Sequence, residues 1–340
     1  MSKTIIIAEA GVNHNGSIEI AKKLIDVAAN AKADYVKFQT FKTENVVSKF
    51  AKKAKYQIKN LKSKNDFQYE MIKSFELNYN NFNELVKYCN KKKIKFLSTA
   101  FDLESLDYLF EIGIDLFKIP SGEITNYQYL KKIASFNKPV ILSTGMSTIN
   151  EIESALNILY SGKLKKENIT ILHCNTDYPT KLTDVNLRAM LDLEKKFNTK
   201  VGYSDHTLGI TVPLAAVSLG AKIIEKHFTI DRNMVGPDHA ASLEPKELTE
   251  MINLIRDVEV ACSGSGIKIP SKSESKNKEI ARRSIFLKKN AFKGDIIDDE
   301  MLIALRPGDG ISPMEIPKIL GKKIKIDLKA LTKLDYKHFI

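Results

Sequence analysis

The feature that most constrains this chain is an alternation that runs from its start to about residue 263. Short runs rich in β-branched residues recur at 4–8, 35–38, 95–98, 116–119, 140–143, 169–173, 201–203 and 223–225. Between them lie stretches of helical period at 18–30, 81–91, 103–112, 149–159, 187–197, 211–219 and 245–262. In the first of these, apolar residues at 18, 21, 24, 25 and 28 share one face. Strands that alternate with helices must run parallel with helical crossovers, and eight of them point to a closed α/β barrel of the (β/α)8 (TIM) class. An open doubly wound sheet is the structural alternative, but no Gly-x-Gly-x-x-Gly follows the first run.

The barrel is expected over residues 1–263. Residues 264–280 are rich in Ser, Gly and Lys and read as an extended linker. Residues 281–340 read as a small second unit, with an apolar run at 284–287 and a turn at Lys293-Gly294-Asp295. About 60 residues fold only marginally alone, so docking on the barrel or on a neighbouring subunit is expected. A long lysine-rich loop at 40–65 follows the second strand, and a cover over an active site is the expectation for it.

Several function classes are disfavoured. The net charge is +12, from 53 basic and 41 acidic residues, which by itself invites nucleic acid. The lysines, however, are spread over helices, as at 91–93, 165–166 and 195–196, with no interleaved aromatics. Nucleic acid is therefore not an expected partner, although a positive field helps to collect a small anion. No apolar run approaches the roughly 20 residues of a membrane span, and the run at 5–8 is too short for a signal peptide, so no membrane partner and a cytoplasmic location are expected. Cys89, Cys174 and Cys262 are widely spaced and read as buried small hydrophobes rather than as a disulfide framework or a zinc site.

Barrel enzymes build their active sites at the C-terminal ends of the strands. Here nearly every strand end is polar: Glu9, Lys37 with Gln39, Thr99, Lys118 with Ser121 and Glu123, Ser143, His173 through Tyr178, Asp205-His206, and Glu225-Lys226-His227. Any one of these is as easily a satisfied structural group; repetition around the ring is what favours function. Lys37 and Lys118 lie inside strands, where an unpaired charge is costly, so they either hold an anionic substrate or pair internally with Glu9 or Glu123. His206 and His227 follow adjacent strands, and two converging imidazoles suit a divalent ion, with Asp205 and Glu225 beside them strengthening that reading. His14 and His173 are as consistent with capping or packing. Asp238, in the turn Gly236-Pro237-Asp238-His239, either closes that turn or binds sugar hydroxyls.

The motifs taken together resemble the sialic acid synthase family, which comprises N-acetylneuraminate synthases and their legionaminic and pseudaminic relatives. The segments that carry the resemblance are Ala8-Glu9-Ala10-Gly11-Val12-Asn13-His14-Asn15-Gly16, Val36-Lys37-Phe38-Gln39-Thr40 and Phe117-Lys118-Ile119-Pro120-Ser121-Gly122-Glu123. Leu142-Ser143-Thr144-Gly145-Met146, Gly202-Tyr203-Ser204-Asp205-His206-Thr207, Glu225-Lys226-His227-Phe228, the Gly-Pro-Asp-His turn and Arg306-Pro307-Gly308-Asp309-Gly310 continue it in order over essentially the whole chain. The resemblance implies a TIM barrel followed by an antifreeze-like SAF domain, in a homodimer that exchanges its C-terminal domains. It implies that Lys37, Lys118, Ser121 and Ser143, with Thr99 nearby, bind phosphoenolpyruvate. It likewise implies that His206 and His227 hold manganese or magnesium, and that Glu9, Gln39, Tyr178 and Asp238 face the sugar. Glu123 becomes a candidate acid or base, and Arg306 is expected to reach into the partner's site. Where the family usually has Ser-Thr-Pro-Phe and His-Cys-Thr, this chain has Ser98-Thr99-Ala100-Phe101 and His173-Cys174-Asn175.

The reaction so implied joins phosphoenolpyruvate to an N-acetylated mannosamine-type sugar and releases phosphate, as in N-acetylneuraminate synthesis. Phe38, Pro120 and residues 101–105 look more like the legionaminic branch, whose sugar is 2,4-diacetamido-2,4,6-trideoxymannose. The remaining alternatives are a deoxy-octulosonate phosphate synthase, a Schiff-base aldolase using Lys118, and an ice- or surface-binding module built on residues 281–340.

Overall fold

The strands of the alternation are real and run further than their apolar cores. In the computed structural model, which describes residues 3–53, 58 and 67–340, they are β1 (Ile5–Gly11), β2 (Tyr35–Thr40), β3 (Lys95–Ala100), β4 (Phe117–Ile119), β5 (Val140–Ser143), β6 (Ile169–Cys174), β7 (Lys200–Asp205) and β8 (Ile223–His227). All pair in parallel, in the order β3-β2-β1-β8-β7-β6-β5-β4. The two ends of that order, β3 and β4, lie side by side and close the ring. The first unit, Met1–Ser263, is thus an α/β barrel.

Alternation along a strand sends successive side chains to opposite faces. Outward residues such as Ile6, Ala8, Val36 and Phe38 meet the apolar faces of the helices in one continuous core. That core includes Leu24 and Ile25 of the helix Ile18–Asn30, whose N-terminus is capped by Ser17. Inward residues form a separate plug: Ile7, Tyr35, Leu97, Ile141, Leu172 and Ile223, with Leu116 against it. Gly202 of β7 stands level with Leu172 in this plug. A Cβ there would come within 2.4 Å of the Ile223 carbonyl oxygen and 2.7 Å of Leu172 Cδ2, so only glycine lets three strands pack this closely.

Helices Tyr79–Lys92, Leu103–Glu111, Ile149–Ser161, Ala189–Phe197, Thr211–Ser218 and Pro245–Ala261 lie where periodicity places them. A further helix, Tyr127–Phe136, fills the gap between β4 and β5; Asn126 caps it and Leu130, Ile133 and Ala134 are buried. Its aromatic residues at 127, 129 and 136 blur the apolar face that sequence periodicity relies on.

Three expectations need correction. The stretch 40–65 is not wholly loop, because Thr43–Val46 makes a helical turn whose Thr43 N–H and Oγ1 both donate to Glu76 Oε2; residues 54–57 and 59–65 lie outside the described residues. The stretch 264–280 is not wholly extended, because Ser271 and Glu274 form a capping box that starts a helix at Lys272–Ala281. That helix buries no residue, so no apolar period marks it. Cys262 is exposed, whereas Cys89 and Cys174 are buried.

The second unit, Gly264–Ile340, pairs β9 (Ser284–Leu287) antiparallel with β10 (Leu302–Leu305) and has its own core of Ile285, Leu287, Ile297, Ile319, Ile324 and Leu334, among others. No helix among the described residues is long and apolar enough to cross a membrane.

Candidate active site

Two residues beyond the apolar plug, the inward positions turn polar strand by strand. Ile7 gives way to Glu9, Tyr35 to Lys37, Leu97 to Thr99, and Leu116 to Lys118. Ile141 leads to Ser143, Leu172 to Cys174, Gly202 to Ser204, and Ile223 to Glu225. One further step brings in Gln39, His206 and His227. This layer walls a cavity of about 190 Å³, which Ser121 and Tyr178 also line. The period of a strand, set on a plugged barrel, is therefore what gathers the site.

At its base lies a charge cluster. Lys37 Nζ is 2.8 Å from Glu9 Oε2 and 3.5 Å from Glu225 Oε2, and donates to Thr99 Oγ1 at 3.0 Å. Lys118 Nζ donates to Ser143 Oγ at 2.7 Å and is 3.4 Å from Glu225 Oε1, which also accepts from Ser204 Oγ at 2.8 Å. Internal pairing is thus present, but the lysines do not divide as expected: Glu225, not Glu123, bridges them. Burial works against every charge here, and the balance differs from group to group. For Glu225, burial is outweighed by Lys118 and Lys37, which hold its carboxylate well below the usual range. For Glu9, burial prevails over the pull of Lys37 and pushes its carboxyl up. Burial opposes the Lys37 cation, but Glu225 and Glu9 hold it above its ordinary value. Burial and the like charge of Lys37 push Lys118 down despite Glu225. A phosphate or carboxylate entering the cavity would meet both ammonium groups together with the hydroxyls of Thr99 and Ser143.

The two imidazoles converge above it. Their ring centroids are 5.4 Å apart, with Tyr178 tilted over His206 at 4.1 Å and edge-on to His227 at 5.7 Å. Burial pushes His206 down to about 4 and His227 well below its ordinary value, which favours the neutral form that ligation requires. His206 Nδ1 is engaged by the Asn175 carbonyl. His227 Nδ1 is buried with no hydrogen-bond partner. Asp205 and Glu225 do not add to this pair. Asp205 accepts from the buried Lys226 ammonium and from Thr207, and Glu225 serves the lysines. Among the described residues no group of three or more His, Cys, Asp or Glu is placed to hold a metal. The residues fit an ion held by two imidazoles, with its other positions open to water or substrate oxygen.

Other expected residues fall nearby. Ser121 Oγ accepts from the Gly145 N–H at 2.9 Å and lies 3.3 Å from Cys174 Sγ. Gln39 Nε2 donates to Glu9 Oε1 at 3.3 Å. Asp238 is buried in the wall of an adjoining cavity, together with Gln39, Tyr178 and His227. Burial, reinforced by Glu9, pushes its carboxyl up to about 7. Glu123 stands apart from both cavity walls and accepts from Asn126 Nδ2 at 2.7 Å. His14 accepts from the Gly16 N–H, and His173 bonds the Val185 carbonyl, so both do structural work. Arg306 is exposed in the second unit, where its Nε donates to the Ala281 carbonyl. Ser204 and Cys174 are visible in the sequence as strand-end residues but without a role, and Glu225 only as a neighbour of the histidines; counting two residues on from each plug position brings all three into the site.

Comparison with known proteins places the chain in a family. The NeuB family profile matches residues 24–268, and the SAF domain profile matches 282–340. The chain belongs to the NeuB family. Among its NeuB-family relatives, the N,N'-diacetyllegionaminic acid synthase of Campylobacter jejuni is 54% identical over 322 residues, covering 95% of this chain and 96% of that protein. The N,N'-diacetyllegionaminic acid synthase of Legionella pneumophila is 47% identical, covering 98% and 94%. Among solved structures, the N-acetylneuraminic acid synthetase of Leptospira borgpetersenii superposes with a TM-score of 0.71 at 37% identity, covering 81% of this chain and 90% of that one. The barrel with an appended SAF domain is the fold that the sequence implied.

Proposed function

We propose that this chain condenses phosphoenolpyruvate with an N-acetylated mannose-type sugar, forming a nonulosonic acid and phosphate. The observation that carries the reading is the buried pair Lys37 and Lys118 lining one cavity with the imidazoles of His206 and His227. Lys37 and Lys118, with the hydroxyls of Thr99, Ser143 and Ser121, bind the phosphate and carboxylate of phosphoenolpyruvate and stabilise the charge that accumulates on the departing phosphate. His206 and His227 hold a divalent ion, manganese or magnesium, which supplies Lewis acidity toward the sugar's aldehyde oxygen.

In the reaction, C3 of phosphoenolpyruvate bonds to the aldehyde carbon, whose oxygen becomes a hydroxyl. Water adds at C2 and the C2–O bond to phosphate then breaks, leaving a ketone. Glu9, set in the cavity wall beside Lys37, is better placed than Glu123 to take, as its carboxylate, the proton that the water gives up. The sugar is proposed to be 2,4-diacetamido-2,4,6-trideoxymannose, on the strength of the two legionaminic acid synthases at 54% and 47% identity. N-acetylmannosamine is the second reading, favoured by the fold shared with the sialic acid synthetase. Arg306 is proposed to complete the partner's sugar site in a domain-exchanged homodimer, and a cytoplasmic location suits both a phosphoenolpyruvate-using enzyme and three unpaired cysteines.

Phosphoenolpyruvate carrying ¹⁸O in the bridge between C2 and phosphorus tests the reaction. The label is expected in the released phosphate, and only when a sugar is present. Label retained in the sugar acid, or phosphate released without sugar, contradicts the reading.

A further inference from the structure

The cavity adjoining the polar layer has a volume of about 250 Å³ and shares Gln39, Phe101, Tyr178 and His227 with it. Its polar groups are those it shares, with Asp238 added. The rest of its lining is hydrocarbon, mainly from Val12, Phe41, Val46, Met71, Ile72 and Phe75. These residues are not an overflow of the barrel core. Val12, Phe41, Met71 and Phe75 form a cluster of their own, with Ile72 and Phe101 packed against it. Phe101 meets Phe41 edge-on at a centroid distance of 6.5 Å. They come from the segments after β1, β2 and β3 and from the helix Gln68–Phe75, none of which is needed to close the barrel. An apolar cluster assembled over the mouth of a polar site, with space left beside it, has the composition of a wall for an amphipathic ligand.

A polyhydroxylated chain suits such a wall poorly, because each hydroxyl held against hydrocarbon gives up hydrogen bonds that it made to water. A methyl group gains by the same transfer. We propose that this wall is the subsite for the far end of the sugar, and that it selects a substrate with a methyl group at C6 and an acetamido methyl at C4 over one with hydroxyls there. The proposal rests on the reading of the chain as a phosphoenolpyruvate-dependent synthase acting on the diacetamido sugar. With the aldehyde near His206 and His227, Gln39 and Asp238 bond the polar middle of the sugar, while Val46 and Ile72 meet its methyl groups.

The test is the ratio of kcat/KM for 2,4-diacetamido-2,4,6-trideoxymannose to that for N-acetylmannosamine, at saturating phosphoenolpyruvate. It is measured in the unaltered enzyme, in Val46→Ser and in Ile72→Asn; Val46 is exposed and Ile72 half-buried, so neither change removes a fully buried side chain. The unaltered enzyme is expected to prefer the diacetamido sugar. Each variant is expected to lower the ratio about tenfold or more, the range that one methyl-sized group commands in a pocket. The change should fall on KM for that sugar, with KM for phosphoenolpyruvate held within about twofold, while Val46→Leu keeps the original ratio. A ratio unchanged in both variants, whether their activities hold or fall together, overturns the subsite and leaves the reading of the sugar intact. An unaltered enzyme that prefers N-acetylmannosamine overturns the reading of the sugar, and the subsite with it.

Discussion

Asp238 shows how one residue's surroundings set its chemistry. Its carboxyl is buried beside a cavity and near Glu9, and burial raises it from an ordinary 3.8 to about 7. Between those two values the folded chain holds a proton that the unfolded chain has released. Stability from this group is therefore full below about pH 3.8 and is lost as pH rises through about 7. Asp238→Asn, which cannot ionise, should be more stable than the unaltered protein at pH 8 by no more than roughly 4 kcal/mol, and by clearly less at pH 5. Urea unfolding at the two pH values measures the difference, and an advantage independent of pH contradicts the assignment. Glu225 is the opposite case: equally buried, it is kept ionised by two lysines, so it organises them and does not itself carry protons. Near-identical burial thus gives one carboxyl that titrates near neutrality and one that does not.

At the scale of the strand, the plug and the polar layer are one object read at a period of two. Leu172 lies in the plug beneath Cys174 and beside Gly202, two residues before Ser204, whereas Leu159 packs in the outer core. Both are fully buried, so Leu172→Ala and Leu159→Ala should each cost about 2–5 kcal/mol. Only Leu172→Ala should also lower kcat, because its cavity opens directly under the site. Equal kcat in the two variants contradicts the layered arrangement. This periodicity also marks what the sequence made legible. Lys37, Lys118, His206 and His227 stood out because charge or imidazole is rare inside a barrel strand or directly at its end. Ser204 and Cys174 did not, because small residues near strand ends are common and only their register distinguishes them. Glu225 was visible, but its neighbour His227 suggested a metal role, and the bridge to both lysines appears only once β8 is closed against β1 and β7. The helix Lys272–Ala281 was hidden for another reason: it is held by a cap and buries nothing, and apolar period is silent about such helices.

For the whole molecule, the SAF unit and its Arg306 raise a question of assembly. In an exchanged dimer, a Lys118→Met chain and an Arg306→Ala chain, each inactive alone, complement each other. Co-expression should recover roughly a quarter of normal activity, because half the dimers are mixed and each of those contains one complete site. No recovery contradicts exchange. The central claim is that the polar layer above the plug performs the chemistry on phosphoenolpyruvate, and Lys118→Met tests it most directly, since it keeps the length of the side chain and removes only its charge. The measurement is sugar-dependent phosphate release at saturating phosphoenolpyruvate, with folding verified by circular dichroism. A fall of about 100-fold or more in kcat in a folded protein is the predicted result; a folded Lys118→Met chain that releases phosphate at a near-normal rate contradicts the claim.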